Sequence, residues 1–263
     1  MTNLSIPQAI NFLADNNFTV NFEGGISLKM IPLTLNDVEN KLQLNTLKKE
    51  ISFFQRPNKE KLLRLIIFEL FHTGYIDRNK SIIDVGCWLG DNAIPWSFLI
   101  NDNAVVHAID PSEENLDFGK KIAELNGQTN INWVEAVCAE TVGEKLSYQG
   151  SLEQASFYKK SDSNNTLLSD NLDNIIKKSS FKSISLMHVD VEGFEIETLK
   201  GARDIIFKNK PVIIFEQHIS SEDSRTLIKF LEDLNYKIFM INEVLPGCQL
   251  DCRNFIAFDR DKN

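Results

Sequence analysis

Cysteine is scarce in this chain: four in 263 residues, at positions 87, 138, 248 and 252. They offer no disulfide framework, because Cys87 and Cys138 fall where core or ligand contacts are expected. Cys248-x-x-x-Cys252 is half a zinc site with no second pair to complete it, so free thiols are expected. No apolar run approaches the roughly 20 residues that a membrane-spanning helix needs. The opening Met1-Thr2-Asn3-Leu4 lacks the charged-then-apolar pattern of a secretory signal. These absences predict a cytoplasmic protein with no membrane partner. Basic clusters are missing too: Lys and Arg number 28 against 37 Asp and Glu, for a net charge of −9. That balance argues against a nucleic-acid partner, since neutralising phosphates supplies most of such affinity. There is no internal repeat and no low-complexity tract. The length fits one large α/β domain or one domain with an extension.

What is present centres on Ser81-Ile82-Ile83-Asp84-Val85-Gly86-Cys87-Trp88-Leu89-Gly90-Asp91. Ser81 to Val85 reads as a short strand buried on both faces of a parallel sheet. Gly86 follows at once, and Gly90 precedes a helical run from Asn92 to Ile100. A strand, a glycine turn and a helix start form a nucleotide-binding corner, where glycine lets a ligand approach without meeting a Cβ. A dinucleotide fingerprint needs Gly-x-Gly-x-x-Gly. Here the spacing is Asp-x-Gly-x-x-x-Gly, and Asp91 would repel a pyrophosphate. A ligand with a positive sulfonium and no phosphate suits this corner better, which points to S-adenosylmethionine.

Strands and helices then alternate, which argues a mostly parallel sheet. Ala104 to Asp110 is the second strand. It ends in an acidic residue about 20 positions after the glycine corner, where a carboxylate would accept both ribose hydroxyls. Ser112 caps the next helix, and Ile131 to Cys138 is the third strand, with Cys138 and Ala139 expected along the adenine. Ile184–Val189 and Val212–Phe215 are the fourth and fifth strands; Tyr236–Ile241 and Asn254–Phe258 close the sheet as the sixth and seventh. Ser161 to Asn165 is a polar loop that could reach over the site. Before the corner, Ile6–Leu13 and Leu33–Ile51 have helical spacing, and Val20 to Leu28 reads as two short strands about a glycine turn. Another helix starts at Arg56-Pro57 with Leu62, Leu63, Ile66, Ile67, Leu70 and Phe71 in one stripe, and Gly74 ends it. Residues 1–78 are thus expected to be an extension or cap, and 79–263 the nucleotide-binding domain.

The corner resembles the first motif of class I methyltransferases. Leu186-Met187-His188-Val189-Asp190-Val191-Glu192-Gly193-Phe194-Glu195, followed by Thr198-Leu199-Lys200-Gly201-Ala202, resembles a block of the FkbM family, and Pro211 to Glu216 is similar to that family's next strand. Two residues depart from the pattern: Trp88 stands where the family usually has Asn, and His188 where it usually has Lys. The resemblance implies a three-layer αβα Rossmann-like fold with a seven-stranded sheet, and an inserted hairpin formed by Glu144–Tyr148 and Ala155–Lys159. The expected cofactor contacts are Asp84, Gly86, Cys87, Trp88, Gly90 and Asp91 in the corner, Asp110 and Pro111 after the second strand, and Cys138 and Ala139 after the third.

Residues i and i+2 of a strand face one side. His188 and Asp190 therefore share a face at the end of the fourth strand, as do Glu216 and His218 at the end of the fifth. If the strands are neighbours, these groups meet at the carboxyl edge, where ligands bind in open α/β sheets. Asp190, Glu216 and His218 are the expected ligands of a divalent Mn, Fe, Co or Mg ion, with His188 as fourth ligand or base. The competing readings are a metal-free base and carboxylates that merely bind backbone amides. Glu192, Glu195 and Glu197 are expected to form an acidic first turn, with Glu192 within reach of the ion. His72 and His107 read as core or surface histidines. The family resemblance implies methyl transfer to hydroxyls of natural products, sugars and surface glycans. The leading expectation is therefore an O-methyltransferase acting on a hydroxyl of a sugar or of a similar small polar molecule, with a nucleotide-linked sugar as the narrower expectation. An NAD-dependent dehydrogenase and an inactive cofactor-binding scaffold are the alternatives, and a homodimer is a further expectation.

Overall fold

A computed structural model describes residues 60–149, 156–158, 166–179, 183–218, 222–241 and 252–262. The expected elements before residue 60, the loop 161–165 and Cys248 lie outside these.

The apolar run Ser81–Val85 forms β1, and every residue of it is buried, as an interior parallel strand requires. Around it run β2 (Val106–Asp110), β3 (Ile131–Glu135), β8 (Ile184–Val189), β9 (Val212–His218), β10 (Tyr236–Met240) and β11 (Cys252–Asp259). Their order is β10-β11-β9-β8-β1-β2-β3. β11 runs antiparallel to both its neighbours, and the other adjacent pairs are parallel. The sheet is therefore seven-stranded and mostly parallel, as expected.

Period-two alternation divides the core between two faces. Ile82, Val106, Leu186, Val212, Ile214 and Ile256 pack on one side beneath α1 (Lys61–His72) and α2 (Ala93–Ser97), where Leu63, Ile66, Ile67, Leu70, Phe71 and Trp96 meet them. Ile83, Val85, Ile109, Met187, Val189, Ile213 and Phe215 face the other side. There they meet α4 (Leu172–Lys177), α5 (Glu195–Lys200), α6 (Arg203–Asn209) and α7 (Glu222–Asp233). Between β2 and β3 lies α3 (Glu113–Leu125), whose cap Ser112 accepts from Asn115 N at 3.2 Å.

Three local readings shift. The helix after the glycine corner is only Ala93–Ser97, because Phe98 N bonds Pro95 O and Leu99 N bonds Trp96 O, closing it with tight turns. The third strand stops at Glu135. Ala136 N still reaches Asp110 O, after which Val137–Cys138 (β4) leaves to pair with β7 (Thr166–Asp170). With β5 (Lys145–Gln149) and β6 (Ser156–Tyr158), which form the expected antiparallel hairpin, these strands make a second sheet in the order β4-β7-β5-β6. β7 is the strand that sequence patterning missed.

Candidate active site

Towards its carboxyl end, the sheet face under α1 changes from apolar to polar. Along β1, Ile82 gives way to Asp84; along β8, Leu186 gives way to His188, with Asp190 just past the strand's end; along β9, Ile214 gives way to Glu216. β11 runs the other way and contributes Asn254, paired in register with Glu216. β8 and β9 are adjacent parallel strands, with His188 opposite Ile214, so the ends that carry Asp190 and Glu216 lie side by side as expected.

The glycine turn is held by its backbone. Gly86 (φ 76°) and Cys87 both donate to Ile109 O, and Gly90 (φ 81°) donates to Cys87 O. A Cβ on Gly86 would lie 1.7 Å from Asp190 O, so this turn and the start of the Asp190 loop are in backbone contact. Asp190 N also donates to Val85 O at 2.9 Å. Trp88 stands in the left-handed region (φ 46°), which Asn tolerates far better than a bulky aromatic. That preference accounts physically for the Asn usual in the resembling family.

Asp110, at the end of β2, accepts from Ser112 N (2.9 Å) and Asn115 Nδ2 (3.1 Å) on Oδ1, and from Trp88 N (3.0 Å) on Oδ2. A carboxylate oxygen takes about two donors, so Oδ2 keeps one acceptor direction: room for one hydroxyl rather than two. Burial raises the Asp110 pKa to about 6, against those three hydrogen bonds. Asp91 is pushed to about 7 by burial and by the charge of Asp84, with Arg64 opposing. Pro111 is half-buried. Cys138 and Ala139 turn their side chains into packed interiors, Cys138 O accepts from Thr198 Oγ1, and Ala139 N donates to Asp170 O. Cys87 is a buried thiol whose pKa is raised first by burial and then by Asp84 and Asp110.

His188 does not stand open at the edge. It is 3% exposed, its Nδ1 lies 2.8 Å from Oδ1 of the fully buried Asp84, and Trp96 meets its ring edge-on at 5.5 Å. Burial alone would lower its pKa; the Asp84 hydrogen bond and charge, with Glu60 and Asp91, outweigh burial and raise it. His188 is therefore the buried partner of Asp84. Asp190 and Glu216 do meet: their carboxyl groups share a hydrogen bond, and burial followed by the Glu216 charge holds Asp190 well above the usual carboxylate range. The third group beside them is Glu192, in the left-handed region at φ 51°. His218 ends β9 opposite Cys252, and its side chain lies outside the described residues. Glu195 is not in an exposed acidic turn. It is buried, accepts from Gly193 N and Val191 N, and has a pKa raised to about 7 by burial. His107 is a core histidine, as expected, with burial lowering its pKa to about 4.

Sequence reading missed Glu60 and Asn254. Asn254 Nδ2 donates to Glu60 Oε1 at 2.7 Å, across 194 positions of chain. No local signal marks such a pair; only the sheet order and α1 bring it together.

Fold and site define the class: an open α/β sheet with a glycine corner and an acidic carboxyl edge, the architecture of Rossmann-like methyltransferases. Residues 96–238 match the methyltransferase FkbM domain, and the chain belongs to that family. Among solved structures it is similar to methyltransferase FkbM from Methylobacillus flagellatus KT, with 16% identity, a TM-score of 0.50, and 80% of this chain aligned to 59% of that one. The chain thus spans 59% of that relative's length, and the likeness is one of fold. Others are precorrin-6y C5,15-methyltransferase from Geobacter metallireducens GS-15 (14% identity, TM-score 0.43, 68% of this chain and 80% of that) and a SAM-dependent methyltransferase from Aquifex aeolicus (12%, 0.46, 79% and 97%). No curated protein matches the sequence. Among the described residues, no helix is long and apolar enough to cross a membrane.

Proposed function

We propose that this chain uses S-adenosylmethionine to methylate a hydroxyl of a sugar, with a nucleotide-linked sugar as the narrower reading, or of a similar small polar molecule. The observation that carries the cofactor is the corner itself. The turn at Gly86 sits beside Asp110 and Asp91, a set that attracts a sulfonium and repels a pyrophosphate. The same repulsion disfavours a nicotinamide dinucleotide. The acceptor would lie over the ends of β8 and β9. Bound S-adenosylmethionine would supply a methyl group on a positive sulfur, and the acidic edge at the ends of β8 and β9 would take the proton released by the acceptor hydroxyl. The protein's share is alignment and acceptance of that proton. A net charge of −9 supports a small acceptor over nucleic acid.

The first prediction tests the cofactor. Calorimetry should show S-adenosylhomocysteine binding and no heat with NAD. Asp110→Ala should weaken that binding by about 1.5–3 kcal/mol, the scale of a hydrogen bond to a charged group. An unchanged affinity removes Asp110 from the ribose. A labelled methyl group appearing on sugar hydroxyls is the matching activity readout.

A further inference from the structure

Asp190, Glu192 and Glu216 each offer a carboxylate oxygen, and the three oxygens lie within 4.8 Å of one another. Two ligands of one ion stand at most twice the metal–oxygen distance apart, about 4.2 Å for Mg²⁺ and about 4.6–5.2 Å for Ca²⁺. The 4.8 Å bound falls inside the Ca²⁺ span and exceeds that of Mg²⁺, so the cluster is already at the size of a larger hard cation's shell. A carboxylate cluster alone proves nothing, and a second observation comes from the neighbouring strand. Asn254 is only 3% exposed, and its Oδ1 has no hydrogen-bond partner. It faces Glu216 directly in the β9–β11 register, on the same face of the sheet. Directly opposed side chains in antiparallel strands have Cβ atoms about 4.5–5.5 Å apart. Leaving a buried amide oxygen unpaired is costly, and a cation beside Glu216 would satisfy it.

Charge points the same way. Glu216, Glu192 and Glu60 add to the negative field at Asp190, and Asp84, Glu60 and Asp91 add to that at His188.

We infer that Asp190, Glu192 and Glu216 bind a hard divalent cation of the Ca²⁺/Mn²⁺ class, with Asn254 Oδ1 as a fourth oxygen donor. The all-oxygen set selects this class over Fe, Co or Zn, which favour imidazole. Ion binding stands independently of the methyltransferase reading; only its use, holding an acceptor oxygen and lowering its pKa, rests on that reading.

The probe is Mn²⁺ alone, titrated into the chelator-stripped full-length protein. One ion per chain is expected, with Asp190→Asn and Glu216→Gln each weakening binding at least tenfold and Asn254→Leu by a smaller factor. Mn²⁺ should raise the melting temperature of the wild type and leave that of Glu216→Gln unmoved. Should these variants not fold, paramagnetic broadening in the wild type decides the matter, and it should centre on residues 190–192, 216 and 254. Absence of stoichiometric Mn²⁺, binding unmoved by both carboxylate variants, or broadening centred elsewhere overturns the inference. S-adenosylhomocysteine binding by the stripped protein is scored separately, so loss of the cofactor reading and loss of the ion site are distinguishable.

Discussion

His188 shows how a single residue's role turns on its partner. Spacing places it on the face of Asp190, and on that basis it is a natural base or ligand. In the sheet it stands in register with Asp84 on the adjacent strand β1, and that pairing depends on strand order, which spacing does not encode. One carboxylate of full burial and one imidazole then form an ion pair under the glycine corner. Removing one partner of a buried pair leaves the other charge stranded, at a cost of about 3–5 kcal/mol. His188→Leu should therefore lower stability by about that amount. His188→Lys, which keeps a cation for Asp84, should cost much less. The comparison is made by urea unfolding midpoints of the two variants. Equal losses would show that Asp84 does not need a cation, and would return His188 to the residues acting directly on ligand.

At the scale of elements, what was legible is what depends on local periodicity. The run Ser81–Val85, the glycine turn and the alternation of strands and helices all read correctly because a buried strand and a tight turn leave their marks in consecutive residues. The convergence of Asp190 with Glu216 was legible too, since i, i+2 spacing survives into neighbouring parallel strands. The departure of the chain at Ala136 was not, because Val137–Cys138 continues the apolar run while its hydrogen bonds go to β7. Nor was the contact between Glu60 and Asn254, which joins α1 to β11. The stripe on α1 was legible, and its destination is the sheet face carrying Ile82, Leu186 and Ile214. Ile67 is almost fully buried there, and truncating such a side chain costs about 2–5 kcal/mol through lost contacts and the cavity left behind. Ile67→Ala should show a loss in that range by denaturant unfolding. An effect below about 0.5 kcal/mol, the range of surface substitutions, would mean that α1 is a detachable brace rather than part of the common core.

Across the whole molecule, the same burial that shapes the site gives the protein an inverted pH dependence. Asp91 and Glu195 have pKa values near 7 and Asp110 near 6, all above their ordinary values. A carboxyl group whose pKa is raised by folding binds its proton more tightly in the native state. Its contribution is therefore full below the unfolded pKa and is lost as pH rises to the folded one. For these three groups the window runs from about pH 4 to about pH 7. His188 and Asp190, also raised, slope the same way above and through this range. His107 opposes them: its pKa is lowered to about 4, so the unfolded state takes up its proton first, and stability rises with pH until about 6.5. One opposing histidine against three carboxylates leaves a net fall. The protein free of divalent ions should be more stable at pH 5 than at pH 7, by an amount on the order of a few kcal/mol, since a tenfold change in a group's proton affinity on folding is worth about 1.4 kcal/mol. Urea midpoints measured across that range in the presence of chelator provide the check. A midpoint that rises from pH 5 to pH 7 would mean that Asp91, Asp110 and Glu195 are ionised in the native state at no cost. The acidic carboxyl edge would then be well hydrated rather than closed beneath α1.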